Sequence, residues 1–397
     1  MTNKYLKILY ATTVLSSKWT GGEPITARNT VKAFKDRGYD VVLAFYKSRL
    51  GDSFSNIYNN LRAYWFSSDS PLLSYLYYRK IIESEAPNVI IAQYDFDSSI
   101  VKAAIAMKKN IIVYAHIWWP ICPKINLFTY DRKICPGFVH NNCKACLLRL
   151  SQAQSIPEGI FKLFLRFSTN KKFLTKMKNR INFLNADNVT IAVPTVRMKN
   201  YFANNGIYRE KIKVVPNGLP CEEFPTKDIS KQRIVGYYGG ELSTKGYEFF
   251  LKVAEIIKPS HPDIRFIATG NFKNTSPFID FVGILGRSEL KDLMAKSRCT
   301  VVPGIWEDPF PLVILESMIS GAPPVSFNIG IFNDMIQDGI NGFTVPLGAV
   351  DDMADRILKL TLDDELFAKM SENARKRGCE FTEEKRITSL VEIINEI

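Results

Sequence analysis

The chain has 397 residues, 46% of them hydrophobic and 23% charged, with a net charge of +12. This length exceeds one ordinary core and suits two domains of about 150–200 residues. No run of about 18 apolar residues occurs, so no membrane-spanning helix is predicted. The positive charge predicts anionic partners, and the lack of helix-turn-helix, zinc-finger or RNA-binding signatures argues against nucleic acid.

Apolar strands alternate with helical stretches through the first half. The apolar run at 5–11 is not followed by a small-residue cleavage site, so it predicts a buried strand and not a signal peptide. We therefore expect a cytoplasmic protein. Further strands are predicted at 40–45, 88–92, 110–115, 189–193 and 212–216, with helices at 25–37 and 98–109. Continuous Val and Ile runs are typical of parallel strands that are covered on both faces.

Residues 217–232 lose this alternation and gain Pro and charge, which predicts an interdomain linker. The alternation then resumes, with strands predicted at 234–238, 263–268, 281–283, 299–303 and 322–327 and helices at 249–257, 288–296 and about 312–320. Beyond about Val350 the pattern is helical. The sequence therefore predicts two successive α/β domains.

The stretch from Glu307 to Gly321 combines a strand-to-helix turn, a helix N-terminus and two carboxylates. Pro309 and Pro311 suit the first turn of a helix, where an N–H has no intrahelical acceptor. The mouth of such a βαβ unit is where α/β sheets place ligands. Glu316 lies in an otherwise apolar helix, where an ionised carboxylate is costly without a partner. A nucleotide ribose with two adjacent hydroxyls is one such partner, and a structural Arg is the alternative.

Glycine-containing loops follow the first strand of each half. Gly21–Gly22 and Gly239–Gly240 each stand between a strand and a helix, where backbone amides approach a phosphate or sugar. Lys245 follows the second pair and can reach a diphosphate as a point charge. Ordinary solvated loops are the alternative.

His116 ends the predicted strand at 110–115, a position typical of site residues, and the chain has only three His residues. Its imidazole suits a sugar hydroxyl, proton transfer or a metal. The alternative is a core His bonded to the backbone.

Four of the seven cysteines fall within one predicted loop: Cys122, Cys135, Cys143 and Cys146. With His140 between them, they indicate first a structural zinc site in a reducing compartment. An iron–sulfur cluster, disulfides and unpaired thiols are the alternatives. We expect Cys221, Cys299 and Cys379 to be isolated small residues.

Basic and aromatic residues interleave between Ser151 and Asn185, with seven Lys and Arg residues against one acid, Glu158. This mixture is typical of a surface that lies on an anionic membrane. The alternative is an amphipathic helix that buries its Phe residues on its own domain.

Together these pieces resemble the group 1 family of retaining, nucleotide-sugar-dependent glycosyltransferases with the GT-B fold. The matching motifs are Gly21–Gly22, Pro216–Gly218, Lys245–Gly246, Phe281–Gly283, Asp308 with Glu316, Gly321–Val325 and Asn341–Gly342. The resemblance implies two Rossmann-like parallel-sheet domains that face each other across a cleft. They are an acceptor-side domain at 1–216, with a Cys-rich insert at about 120–150, and a donor-binding domain at 233–377. A helix at 378–397 is expected to return to the first domain.

The resemblance also implies residue roles. Glu316 binds the ribose hydroxyls, Lys245 stabilises the leaving diphosphate and Asp308 lies near the donor sugar. His116 touches the sugar or the reaction centre. The other implied donor contacts come from the backbone at Gly22, Gly239, Gly240, Phe310 and Leu312.

Two positions depart from the family pattern. The family usually has Glu where Asp308 stands, and adjacent Glu307 is expected to compensate. It often has Arg where Gly240 stands, so Lys245 is expected to carry more of the charge.

The implied activity is transfer of a sugar from a nucleoside diphosphate sugar to a hydroxyl acceptor, with retention of configuration. We expect no cofactor for catalysis, because leaving-group stabilisation falls to Lys245 and the helix N-terminus near Phe310. The expected acceptor is a lipid-linked or cell-surface glycan in polysaccharide biosynthesis, met at the inner face of the plasma membrane. The alternatives are a nucleotide-sugar epimerase or phosphorylase of the same fold and a catalytically weakened nucleotide-sugar-binding protein.

Overall fold

The computed structural model describes residues 6–12, 22–46, 61–66, 70–93, 98–129, 131–138, 143, 146, 170–225 and 232–397. The chain divides into two compact units, Met1–Pro216 with Ile387–Ile397 and Asn217–Arg386. None of the helices in the described ranges combines the length and the hydrophobicity that a membrane crossing requires.

The first unit is an α/β layer structure. In chain order its elements are β1 (Lys7–Thr12), α1 (Gly22–Asp36), β2 (Asp40–Tyr46), β3 (Arg62–Phe66), α2 (Pro71–Glu85), β4 (Val89–Ala92), α3 (Ser99–Ala106), β5 (Asn110–Tyr114), α4 (Asn170–Leu184), β6 (Val189–Val193), α5 (Val196–Asn204) and β7 (Ile212–Val214). The described strands form a parallel sheet in the order β3-β2-β1-β4-β5-β6-β7. The order reverses between β1 and β4, and such a switch point is where open α/β sheets bind ligands.

The second unit repeats this architecture. Its elements are β8 (Ile234–Tyr237), α6 (Tyr247–Ile257), β9 (Arg265–Ala268), β10 (Ile279–Phe281), α7 (Arg287–Lys296), β11 (Cys299–Val302), α8 (Leu312–Ile319), β12 (Pro324–Phe327), α9 (Phe332–Met335), β13 (Phe343–Val345), α10 (Val350–Leu362) and α11 (Asp364–Gly378). The parallel strand order is β10-β9-β8-β11-β12-β13, with the switch point between β8 and β11. Both sheets confirm the predicted α/β class with parallel strands.

The last helix, α12 (Glu383–Glu396), completes the core of the first unit. Ile387 and Leu390 are fully buried, in one cluster with Ile8 and Tyr10 of β1 and Phe34 of α1. Burial of side chains of this size stabilises by about 1.5–3 kcal/mol each. The C-terminal segment therefore stabilises the sheet that begins the chain.

One sequence-based expectation about cysteines is wrong. Cys221 and Cys379 are joined by a disulfide, with Cα atoms 5.5 Å apart, and are not isolated residues. Their segments already lie side by side, since the Leu219 N–H donates to the Phe381 carbonyl at 3.1 Å. A separation of 158 residues hid this pairing from sequence reasoning.

Candidate functional site

The loop after β8 brings Lys245 to the carboxyl end of the second sheet. Ser243–Lys245 form a 3-10 turn that ends at Gly246, where φ is 76°. A Cβ at Gly246 would lie 1.8 Å from the Pro303 carbonyl oxygen, so only glycine lets this turn pack on the chain that follows β11. The Ile305 N–H also donates to the Thr244 carbonyl at 3.0 Å. The loops of the two neighbouring strands are thereby held together.

Lys245 and Asp308 form the charged centre of this edge. Lys245 Nζ lies 2.7 Å from Asp308 Oδ2 and 5.1 Å from the centroid of the Trp306 ring. The other carboxylate oxygen of Asp308 accepts the Phe310 N–H at 3.2 Å. The Asp308 side chain is only 9% exposed, whereas that of Lys245 is 29% exposed. A cation thus reaches the surface above a nearly buried carboxylate.

Glu316 is buried within α8 and pairs with Arg287, the first residue of α7. Arg287 Nη1 donates to Glu316 Oε1 at 2.7 Å. Arg287 therefore engages one of the two carboxylate oxygens of Glu316. The sequence allowed either a structural Arg or a ribose as the partner of Glu316. Both can bind Glu316 in this geometry, because Arg287 engages a single carboxylate oxygen.

The N-terminus of α8 adds a partial positive charge to this edge of the sheet. Leu312 is its first residue, and Pro311 before it has no N–H. The first-turn N–H groups of a helix have no intrahelical acceptor and carry a partial positive charge. The Phe310 amide, expected to face the donor, is instead engaged by Asp308. The Phe310 ring packs edge-on against Phe381, with centroids 5.8 Å apart.

The remaining expected residues of the second unit differ in exposure. Glu307 is fully buried, and a Cβ at Gly330 would lie 2.8 Å from its Oε1, so its carboxylate packs on that backbone. Asp308 is therefore the carboxylate that faces Lys245. Gly239 and Gly240 lie in the loop that leads from β8 to Lys245. The Tyr237 hydroxyl donates to the Gly240 carbonyl at 2.8 Å and holds this loop in place. Burial raises the pKa of Tyr237, which keeps this donor protonated.

In the first unit, Gly22 begins α1, and Gly21 lies outside the described residues. His116 follows β5, is 8% exposed and packs at a tilt against Tyr114, with ring centroids 4.0 Å apart. Its position at the carboxyl end of a central strand is the one that the sequence predicts. Two residues that sequence reasoning missed are Arg287 and Trp306, which carry no local motif.

The four clustered cysteines are not disulfide-bonded. Burial raises the pKa of the Cys122 thiol, and the backbone N–H groups of Leu127, Lys124 and Asn126 partly oppose this shift. Burial and the neighbouring Cys122, Cys135 and Cys146 sulfurs raise the pKa of Cys143 to about 12. Within the ranges that the structure describes, which omit His140, no three His, Cys, Asp or Glu side chains form a group able to hold a metal ion.

The basic segment is only partly covered by the structure. Residues 151–169 lie outside the described ranges, and α4 contains the remainder, including Lys176 and Lys178. Both lysines are exposed.

Two family models match the chain. The model described as Glycosyltransferase Family 4 matches residues 20–223, and Glycosyl transferases group 1 matches residues 222–377. Together they extend over both units.

Curated relatives and solved structures agree with these matches. The chain is 27% identical over 192 residues to the UDP-Gal:alpha-D-GlcNAc-diphosphoundecaprenol alpha-1,3-galactosyltransferase of Escherichia coli, covering 42% of this chain and 49% of the relative. It is 25% identical over 223 residues to the poly(ribitol-phosphate) alpha-N-acetylglucosaminyltransferase of Staphylococcus aureus, covering 53% and 43%. The chain thus spans about half the length of the curated relatives it matches.

Among solved structures, the fold is similar to Anabaena Alr3699/HepE in complex with UDP-glucose. The TM-score is 0.72 at 16% identity, over 99% of this chain and 100% of that chain. At this identity the likeness shows the fold alone, and it confirms the predicted GT-B class.

Proposed function

Because the chain belongs to the group 1 glycosyltransferases, we propose that it transfers a sugar from a nucleoside diphosphate sugar to a hydroxyl of a glycan or lipid-linked acceptor. The observation that carries this proposal is the edge of the second sheet. The loops and helices that follow two adjacent strands carry three features there. They are the partly exposed Lys245, the N-terminus of α8 and the buried carboxylate of Glu316. A nucleoside diphosphate needs such a combination, because it presents a vicinal diol and a diphosphate a few bonds apart.

The charges suit stabilisation of a leaving diphosphate. As the bond between the sugar and the diphosphate breaks, negative charge grows on the leaving oxygen, and a cation and helix N–H groups held in place stabilise it. Lys245 must exchange part of its contact with Asp308 for the diphosphate. Loss of a single preorganised donor of this kind costs about 10²–10³ in kcat.

The ion pair between Glu316 of α8 and Arg287 of α7 suits the ribose. Arg287 holds Glu316 through Oε1, and we assign Oε2 to accept a ribose hydroxyl. The pair also explains how an ionised Glu is tolerated in an apolar helix, since a buried carboxylate needs a charged or hydrogen-bonded partner.

Retention of configuration and the acceptor class are the finer parts of the proposal. Both curated relatives are named for α-linked products, and an α-linked product from an α-linked donor means retention. The same names specify a lipid diphosphate-linked sugar and a poly(ribitol-phosphate), which supports an acceptor in polysaccharide biosynthesis. We place the reaction on the cytoplasmic face of an anionic membrane, without a catalytic cofactor, and assign His116 to the reaction centre.

Donor binding and consumption test the proposal. UDP-glucose, UDP-galactose, UDP-N-acetylglucosamine and GDP-mannose are titrated into wild-type protein, Glu316→Gln and the control Glu372→Gln, which alters an exposed residue of α11. We expect one donor to bind and hydrolyse slowly, a loss of about tenfold or more in affinity for Glu316→Gln, and no change in the control. If no donor binds, or if both variants behave like wild type, the proposed function is wrong.

A further inference from the structure

Glu241 joins the loop that carries Lys245, residues 239–245, to the loop that follows β9, residues 269–274. Glu241 Oε2 accepts the Lys273 N–H at 2.5 Å, and Oε1 accepts the Asn274 N–H at 3.0 Å. These two N–H groups hold the pKa of Glu241 below its usual value, so the carboxylate is charged at neutral pH. Hydrogen bonds to a charged acceptor are roughly twice as strong as those between neutral groups. Because both donors belong to the backbone, Glu241 fixes the path of one loop relative to the other.

The loop after β9 is itself anchored where Glu241 binds it. The Tyr247 hydroxyl donates to the Asn274 carbonyl at 2.8 Å. The ring of Tyr247 also packs on Phe272, with centroids 4.5 Å apart. Tyr247 is the first residue of α6, so these contacts attach the loop to a helix of the core. Glu241 therefore holds its own loop against a segment that is already fixed.

The backbones of the two loops also come close together. Gly270 has a φ of 131°, and a Cβ there would lie 3.1 Å from the Gly240 Cα. Glycine is the residue that adopts this backbone conformation and allows this approach. On the opposite side, the hydrogen bond from the Ile305 N–H to the Thr244 carbonyl holds the loop at 239–245 against the loop after β11. Glu241 thus supplies the second of two attachments for this loop.

We propose that Glu241 is a positioning residue, which holds the loop at 239–245 so that Lys245 Nζ meets the leaving diphosphate. This inference rests on the proposed function and deepens it, because it names a residue that places the cation before the reaction begins. A fixed cation acts through its placement, and an error of about 1 Å costs about 10²-fold in rate. The Glu241 carboxylate is not a donor ligand in this role, because its charge repels a diphosphate.

UDP binding is the first test, arranged as a double-mutant cycle. Affinity is measured by calorimetry for wild type, Glu241→Ala, Lys245→Met and the double variant. We expect Glu241→Ala to weaken UDP binding by about tenfold beside Lys245 and by about twofold or less beside Met, because Glu241 acts through the lysine. Glu241→Gln keeps one acceptor oxygen and should lie between wild type and Glu241→Ala. The matched control, Glu255→Ala, removes an exposed carboxylate of α6 and should bind UDP like wild type.

Two results of the cycle would overturn the proposal. Equal losses in the presence and absence of Lys245 would mean that Glu241 does not act through the lysine. Tighter UDP binding in Glu241→Ala would mean that repulsion of the diphosphate is the main effect of this carboxylate.

Hydrogen–deuterium exchange and donor turnover form the second test. Exchange at residues 270–276 should be faster in Glu241→Ala, because two backbone N–H groups lose their acceptor, and unchanged in Glu255→Ala. Slow hydrolysis of the donor should show a fall in kcat of about tenfold for Glu241→Ala. Unchanged exchange, or wild-type kcat in Glu241→Ala, refutes the role of Glu241 alone. Absence of both UDP binding and donor turnover in wild type refutes the proposed function and this inference with it.

Discussion

Replacement of Lys245 by Met removes the one charge that the proposed mechanism needs most, while it keeps the length of the side chain. At 2.7 Å from Asp308 Oδ2, the ion pair corresponds to about 6 kcal/mol at an effective dielectric constant of about 20 and about 1.5 kcal/mol in bulk water. Because the lysine is 29% exposed, the loss of stability falls toward the lower value, at about 2 kcal/mol. For a unit of this size that lowers the melting temperature by about 4–8 °C.

The effect of Lys245→Met on catalysis is expected to be larger than its effect on folding. A preorganised cation at the leaving group contributes about 2.7–4 kcal/mol, so kcat should fall by about 10²–10³ at a temperature where the variant is folded. Steady-state donor turnover measures this loss. The matched control is Lys252→Met on α6, an exposed lysine of the same unit that lies 5.9 Å from the Phe249 ring centroid.

Asp308→Asn is expected to change UDP binding in the opposite direction from Lys245→Met. The Asp308 carboxylate competes with the diphosphate for Lys245 and also repels the diphosphate. Neutralisation of Asp308 should therefore tighten UDP binding by about tenfold or less, whereas Lys245→Met should weaken UDP binding. Calorimetric titration with UDP measures both shifts. The electrostatic reasoning is refuted if Lys245→Met loses no more kcat than Lys252→Met, or if the two substitutions at the pair shift UDP binding in the same direction.

Four further outcomes are expected. Arg287→Gln should raise KM for the donor about tenfold with little change in kcat, because it loosens Glu316 without touching the leaving group; equal losses in both constants would contradict this role. Gly240→Arg should tighten UDP binding, because it adds a cation where a Cβ would meet nothing within 4 Å. The left-handed backbone at this position should cost about 1–2 kcal/mol of stability. Weaker UDP binding would contradict this prediction. Cys221→Ser should lower the melting temperature only under non-reducing conditions. The disulfide links residues that are 158 positions apart, and the loss of chain entropy in the unfolded state corresponds to about 5 kcal/mol. An equal effect in the presence of reductant would contradict this prediction. Structural zinc stays a prediction, to be checked by metal analysis of wild type and of Cys143→Ser with Cys146→Ser; zinc content that the double substitution leaves unchanged would contradict it.

The sheets could be predicted because their strands are covered on both faces. Runs such as 189–193 consist of β-branched and small apolar residues without alternation, and this strand begins and ends where expected. By contrast, α2 (Pro71–Glu85) was not predicted. Its exposed Leu72, Leu73 and Leu76 stand beside buried apolar residues of the same helix, so no single apolar face shows in the sequence. The Ser70 N-cap before Pro71 was the available signal.

The candidate site was predictable only as separate motifs. Lys245 and Asp308 each stand in a strand-to-helix loop, and their contact depends on β8 and β11 being neighbours, although β9 and β10 lie between them in the chain. Arg287 shows the same limit, since it is an ordinary helix-starting residue until α7 and α8 pack and direct it at Glu316. Strand order in a parallel sheet is set by the crossover connections and by total burial, which are properties of the whole unit. A local pattern therefore identifies which residues carry charge at a strand end, and the fold decides which opposite charge each one meets.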